Sequence, residues 1–349
     1  MQKIKSIIES YGLPRTIITC FIILMFCLAP VAQINMGALM SNVLNRFVMN
    51  AILVLAMVPM VHSGCGLNFG LPLGIEAGLL GATLSVEFGF TGVTSFVMAI
   101  VFAIPIATVF GLIYGLLLNK IKGGEMMIAT YVGFSIVSLM CIMWLILPYH
   151  SPNMVWGYSG NGLRTTITLE GYYSRILSDL FKIEIGKLVI PTGAILFFAL
   201  LALIIWAFLH TKTGTAMTAV GSNPTFAKAA GINIDKIRTL SVVMSTILGA
   251  IGIIVYEQAF GYIQLYTAPI SMAMPAVAAI LLGGASVNKA TIFNVVIGTI
   301  LYQGIVTVTP AVMNALIALD ISDVIRNIVS NGVILYALTR KIEEGKKRR

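Results

Sequence analysis

Few side chains in this 349-residue sequence have the type and spacing to do chemistry. The three histidines, His62, His150 and His210, lie far apart with no H-E-x-x-H or related spacing, which argues against a metal site. No G-x-x-x-x-G-K-[ST] string is present to cradle nucleotide phosphates, and no G-x-S-x-G elbow presents a nucleophilic serine. A hydrolase that hides Ser and His on separate membrane helices is the remaining enzyme reading. What stands out instead are single polar residues in apolar surroundings: Asn68, Glu76, Gln258 and Gln303. Each is costly in hydrocarbon and should face the interior of a helix bundle, where amide and carboxyl groups can hydrogen-bond a neutral, hydroxyl-rich solute. Glu76 is the one strong mid-span carboxylate, because Glu87, Glu257 and Asp320 fall near span ends. A proton- or sodium-coupled carrier normally places more ionisable groups at that depth, and a channel needs a repeated polar stripe that no segment shows.

The elements that must position these residues are apolar. The chain is 58% hydrophobic and 10% charged, with mean hydropathy +0.97, against about 25% charged in soluble domains. It is expected to be an all-α polytopic membrane protein, with about ten transmembrane helices in one domain over 1–349. The net charge of +9 reads as positive-inside bias and not as nucleic-acid binding. Cys20, Cys27, Cys65 and Cys141 have no C-x-x-C spacing and read as small apolar residues in buried surroundings, with no metal, cofactor or disulfide framework expected.

Along the chain, apolar runs at Thr16–Ala32 and Phe47–His62 precede a glycine-rich segment, GCGLNFGLPLGIEAGLLG, in which Gly66, Gly70, Gly74 and Gly78 recur every four residues. On a helix these make one smooth packing ridge, and Pro72 interrupts it, which suits the wall of a translocation route. Runs at Val93–Leu118, with Pro105, and Met126–Leu147 lead to the longest polar interval, Tyr149–Lys187. Its Trp156, Tyr158, Tyr172 and Tyr173 suit the outer membrane interface. Further spans are expected at Leu188–Leu209, Leu240–Tyr256, Ser271–Leu282, Thr291–Val308 and Ile321–Leu338. The third of these holds Pro275, ends in Gly283 and Gly284, and reads as a second interrupted segment. With ten spans, sixteen of the 22 Lys and Arg residues fall on the side of the termini and six on the other. That bias predicts cytoplasmic termini and an external 149–187 loop. It also sets spans two to five and seven to ten in opposite directions, as in transporters built from inverted halves.

One polar island breaks the apolar body, His210–Thr239, reading HTKTGTAMTAVGSNPTFAKAAGINIDKIRT. Gly221 to Pro224 reads as a turn ending in a helix start, with Asn223 as N-cap and Pro224 at the first helical position. A short helix follows through about Ala230, and Gly231 supplies the stop. Its face of Ala227, Ala229 and Ala230, with Phe226 as one bulky apolar contact, leaves room for another protein to pack closely.

The string AVGSNPTFAKAAGINIDKIR resembles the cytoplasmic coupling motif of ABC transporter permeases of the ribose, galactose, nucleoside and branched-chain amino acid group, A-x-G-x-N-x-x-A-A-x-x-x-G-I-N. Ala219, Gly221, Asn223, Ala227, Gly231, Ile232 and Asn233 match it, and Lys228 departs from it. The resemblance implies a permease subunit in a bacterial inner membrane, with 210–239 as the coupling loop. Gly214, Ala219, Gly221, Asn223, Pro224, Phe226, Ala227, Ala230, Gly231, Ile232 and Asn233 then serve contact with the ATPase. It further implies an ATPase subunit or fused double ATPase, a second like or unlike permease subunit and an extracytoplasmic solute-binding protein. The solute would be a simple sugar or nucleoside, with riboflavin, an autoinducer sugar and branched-chain amino acids as alternatives; ribose itself is disfavoured because GLNFGLPLGIEAG departs from the string common in ribose permeases.

Overall fold

A computed structural model of the chain describes residues 13–121, 123–157 and 162–317, with 324, 327, 328, 331 and 332 besides. Lys3, Lys5, Lys122, Tyr158, most of the run Ile321–Leu338 and the charged tail lie outside the described residues. The chain is mostly helical. Among the described residues six helices are long and apolar enough to cross a membrane: Met36–His62, Gly92–Lys120, Glu125–Ile146, Thr192–Leu209, Ile234–Phe260 and Ile292–Leu316. Arg15–Leu28 and Ala268–Leu282 are shorter apolar helices.

After α1 (Leu13–Leu28), helix α2 (Met36–Leu55) starts well before the apolar run expected at Phe47. The Asn35 side chain caps it by accepting from the Ala38 N–H at 3.1 Å. Ser41 escapes the cost of an apolar setting by donating to the Val189 carbonyl at 2.8 Å. Helix α3 (Met57–His62) continues α2 past a break at Ala56. A link of turns then runs from Ser63 to α4 (Leu71–Glu87). Pro72 therefore starts a helix instead of breaking one, as its fixed φ and missing N–H allow. The four-glycine ridge is accordingly not one face. Gly66 has φ +80° in the link, whereas Gly74 and Gly78 lie against the backbone of α11 (Ile234–Phe260), where an added Cβ would meet Thr246 O at 2.6 Å and Ala250 O at 2.5 Å.

Helices α5 (Gly92–Lys120), α6 (Glu125–Ile146) and α8 (Thr192–Leu209) keep most of their apolar surface exposed, while α2, α4 and α11 are buried among the others. α12 (Ala268–Leu282) runs continuously through Pro275 into Gly283, so the second interruption lies after the helix, not within it. α13 (Ile292–Ile317) packs back along α12, α2 and α1.

The polar interval after α6, expected as a loop, adds short strands to this mostly helical chain. It forms β1 (Thr166–Thr168), the single turn α7 (Ile176–Asp179), β2 (Ile183–Ile185) and β3 (Leu188–Ile190). β2 pairs antiparallel with β3, and β1 pairs antiparallel with β4 (Tyr262–Gln264) just after α11. These ladders pair backbone groups that a long irregular loop would leave open. Cys20 and Cys27 are exposed on α1, against expectation, and only Cys65 is fully buried.

Two ends of the bundle are thus defined. One gathers His62, Asn119, Glu125, the polar island and Ala290; the other gathers Glu87, Gly92, the β-strands and Gln258. The α2–α3 segment runs toward the island end and α11 away from it; α4 runs away and α12 toward it.

Candidate coupling platform and solute cleft

The island folds as two short helices held by three caps. Thr211 accepts from the Gly214 N–H at 3.2 Å and opens α9 (Lys212–Ser222). Asn223 accepts from Phe226 N at 3.0 Å and opens α10 (Pro224–Ala229). Asn233 accepts from Lys236 N at 3.0 Å and opens α11. Gly231, at φ +79°, makes the stop expected of it. The expected turn at Gly221–Pro224 shrinks to Asn223 alone, because Gly221 and Ser222 finish α9 and Asn223 both ends one helix and starts the next.

The face offered outward also differs from expectation. Ala227 is fully buried within the chain, whereas Phe226 is 66% exposed, with Ala229 and Ala230 beside it. Ala227 fixes α10 to its own chain, and Phe226, Ala229 and Ala230 form the exposed apolar face.

The platform is fastened to the bundle at backbone distance. A Cβ on Gly221 would meet His62 O at 2.2 Å, and one on Gly214 would meet Phe208 O at 2.3 Å. His62 spans two elements, with Nδ1 3.1 Å from Thr218 Oγ1 on α9 and Nε2 2.8 Å from the Ala290 carbonyl before α13. At the foot of α11, Arg238 pairs with Glu125 at 2.6 Å and donates from Nε to Cys65 Sγ at 3.3 Å. Ser241 Oγ donates to Ser63 Oγ at 2.6 Å, and Asn119 Nδ2 to the Asp235 carbonyl at 2.9 Å. The platform and the foot of α11 are thereby in direct contact with the link, with α6 and with the segment that follows α12.

Between the link, the start of α4, α6 and α12 lies a small cleft, lined by Phe69, Pro72, Thr130, Gly133, Phe134, Val137, Ile270, Ala273 and Met274. It lies between the two segments that the sequence marks as interrupted. Its one side-chain hydroxyl, Thr130, donates to Met126 O at 3.0 Å. None of the four expected path residues lines it. Asn68 is buried in a closed network, donating to Ser245 Oγ at 2.8 Å and accepting from Tyr114 at 3.3 Å. Gln258 accepts from Leu177 N at 3.1 Å, which fastens α7 to the far end of the bundle. Gln303 is buried on α13, an element that contributes nothing to the cleft lining. Glu76, one turn along α4 from Pro72, is fully buried with both carboxylate oxygens lacking a hydrogen-bond partner.

Residues 39–338 match the family model described as the branched-chain amino acid transport system / permease component. The chain belongs to that permease family. The nucleoside ABC transporter permease NupB of Lactococcus lactis is 25% identical over 52% of this chain and 51% of its own length. The autoinducer 2 import permease LsrC of an Enterobacter species is 26% identical over 54% and 51%. The ribose import permease RbsC of Haemophilus influenzae is 25% identical over 91% and 90%. The chain thus spans about half the length of the first two relatives and most of the third.

At the far end of this permease, Tyr173 is not an interfacial aromatic as expected but a buried one, 3.5 Å from Glu257 Oε2. Burial beside that carboxyl pushes its phenol well above the ordinary range. His62, Glu125 and Arg238 were not singled out as site residues by sequence reasoning. Arg238 carried a weak signal, since a charge at the mouth of an apolar run must find a partner when packing covers it. Glu125 and His62 carried none, because their partners are more than a hundred residues away.

Proposed function

We propose that this chain is the membrane permease subunit of an ATP-driven importer for a neutral polar solute, a simple sugar or nucleoside. The observation that carries the reading is the doubly capped α10, which holds Phe226 outward on a platform fastened through His62 and Gly221 to the elements around the cleft. A rigid helix held in this way passes a push to its neighbours, whereas a free loop would absorb it. ATP is hydrolysed in a separate subunit that grips this face, and the membrane part pairs with a second permease subunit beneath an extracytoplasmic binding protein.

The island end is cytoplasmic and the strand end external in this reading, and the solute passes beside the cleft. Glu76 is the polar group with free hydrogen-bonding capacity next to it. Relatives named for ribose, nucleosides and autoinducer 2 support the solute class. Cysteine labelling in intact cells tests the orientation: Ser222→Cys should react only after permeabilisation and Glu170→Cys without it. Proteoliposomes test the drive: uptake should require both the ATPase subunit and ATP. Uptake driven by a proton or sodium gradient without that subunit would overturn the proposal.

A further inference from the structure

The β2–β3 hairpin has one face unsuited to water. Its register sets Ile183 opposite Ile190, Glu184 opposite Val189 and Ile185 opposite Leu188. Because strand side chains alternate, Ile183, Ile185, Leu188 and Ile190 share one face and Glu184 takes the other. Lys182 Nζ lies 2.7 Å from Glu184 Oε1, so these two charges pair away from the apolar face. Ile183, 47% exposed, and Ile185, 63% exposed, leave the apolar face uncovered, and Phe181, 70% exposed, stands just before β2. A two-stranded ribbon is marginal by itself in water, and a contiguous apolar patch marks a binding surface.

The hairpin is not a loose excursion. Val189 N donates to Ser41 Oγ on α2, and the Lys187–Leu188 backbone lies against Gly37. Ile190 and Pro191 lead directly into α8, whose outward row includes Leu196, Leu200 and Leu203. The apolar hairpin face therefore joins the surface of a helix suited to cross the bilayer, at the level where that helix begins. A protein partner would be expected to find Trp, Tyr or Arg anchors here. The patch instead holds aliphatic side chains and one Phe, and Lys182 and Glu184 beside it pair with each other.

We propose that this hairpin is an interfacial anchor, laying Phe181, Ile183 and Ile185 into the headgroup–acyl boundary of the bilayer beside α8 while Lys182 and Glu184 face water. It would hold the far-end loop at a set depth, independently of the solute carried.

The test uses spin labels at Ile183→Cys, Glu184→Cys and Ile185→Cys in full-length chain whose native cysteines are replaced and which retains ATP-dependent uptake. The protein is placed in discs of phosphatidylcholine and phosphatidylglycerol, and collisions with oxygen and with an aqueous nickel chelate are measured. The expected oxygen-to-nickel ratio is several-fold higher at 183 and 185 than at 184. Equal nickel access at all three positions would overturn the proposal, since the face would then be in water. Shielding of 183 and 185 from both reagents would overturn it in favour of a second copy, and shielding only after a solute-binding protein is added would do so in favour of that partner. A second variant, Ile185→Asp, should raise nickel access at a label on 183 several-fold; no change would also count against the anchor.

Discussion

Gly221→Ala tests whether the platform must touch the end of α3. On the present backbone the new Cβ would lie 2.2 Å from His62 O and 2.9 Å from Gly64 N. An unstrained carbon–oxygen contact needs about 3.3 Å. Both obstacles are backbone atoms, so α9 must retreat by roughly 1 Å to restore that contact. The retreat would lengthen the 3.1 Å approach of His62 Nδ1 to Thr218 Oγ1 beyond hydrogen-bond range. Overpacking of this kind costs about 1–3 kcal/mol. The gain of about 0.5–1 kcal/mol from replacing Gly by Ala within a helix offsets part of it. The protein should therefore fold and insert with a modestly lowered unfolding midpoint. Solute-stimulated ATPase activity of the complex in lipid discs should fall to near the basal rate, because the platform no longer bears on the link. Normal stimulation together with a lowered midpoint would refute the reasoning: the contact would then be packing and nothing more.

Phe226→Ala removes an exposed ring, so stability should change by no more than about 0.5 kcal/mol, while the ATPase subunit should no longer co-elute on a sizing column. Ala227→Arg forces a charge into a fully buried position, so thermal unfolding should show a clear loss of stability as well as loss of the ATPase subunit. Arg238→Met strands Glu125, and since the Glu125 side chain is 17% exposed the cost should fall below the roughly 3–5 kcal/mol of a fully buried pair; adding Glu125→Gln should recover part of it in thermal unfolding. Asn68→Ala should lower stability by about 1–3 kcal/mol through its orphaned partners and leave the solute KM unchanged, whereas Glu76→Gln should alter the KM, and the reverse pattern would put Asn68 on the path.

The features legible in the sequence are those with local causes. Asn223 caps a helix through a bond that reaches only three residues, and Gly231 stops it through its own φ, so that short helix could be read directly, whereas α9 behind the Thr211 cap was not expected. Apolar run length marked most of the long helices for a similar reason, since hydropathy needs no partner to be measured. It misjudged the start of α2, because the residue that makes Ser41 tolerable is 148 positions away. The tertiary structure alone decided that Ala227 faces inward and that Gln258 holds a loop. It alone turned Pro72 from a break into a helix start, and it alone brought His62 beside Thr218 and Ala290 and Arg238 beside Glu125 and Cys65. Each of these depends on which distant backbone arrives beside the residue. A buried polar group has the same residue type whether it meets a carbonyl, a carboxylate or nothing, so the sequence marked Asn68, Glu76, Gln258 and Gln303 alike. Packing satisfied Asn68 and Gln258 within the chain, and it left both oxygens of Glu76 without a partner.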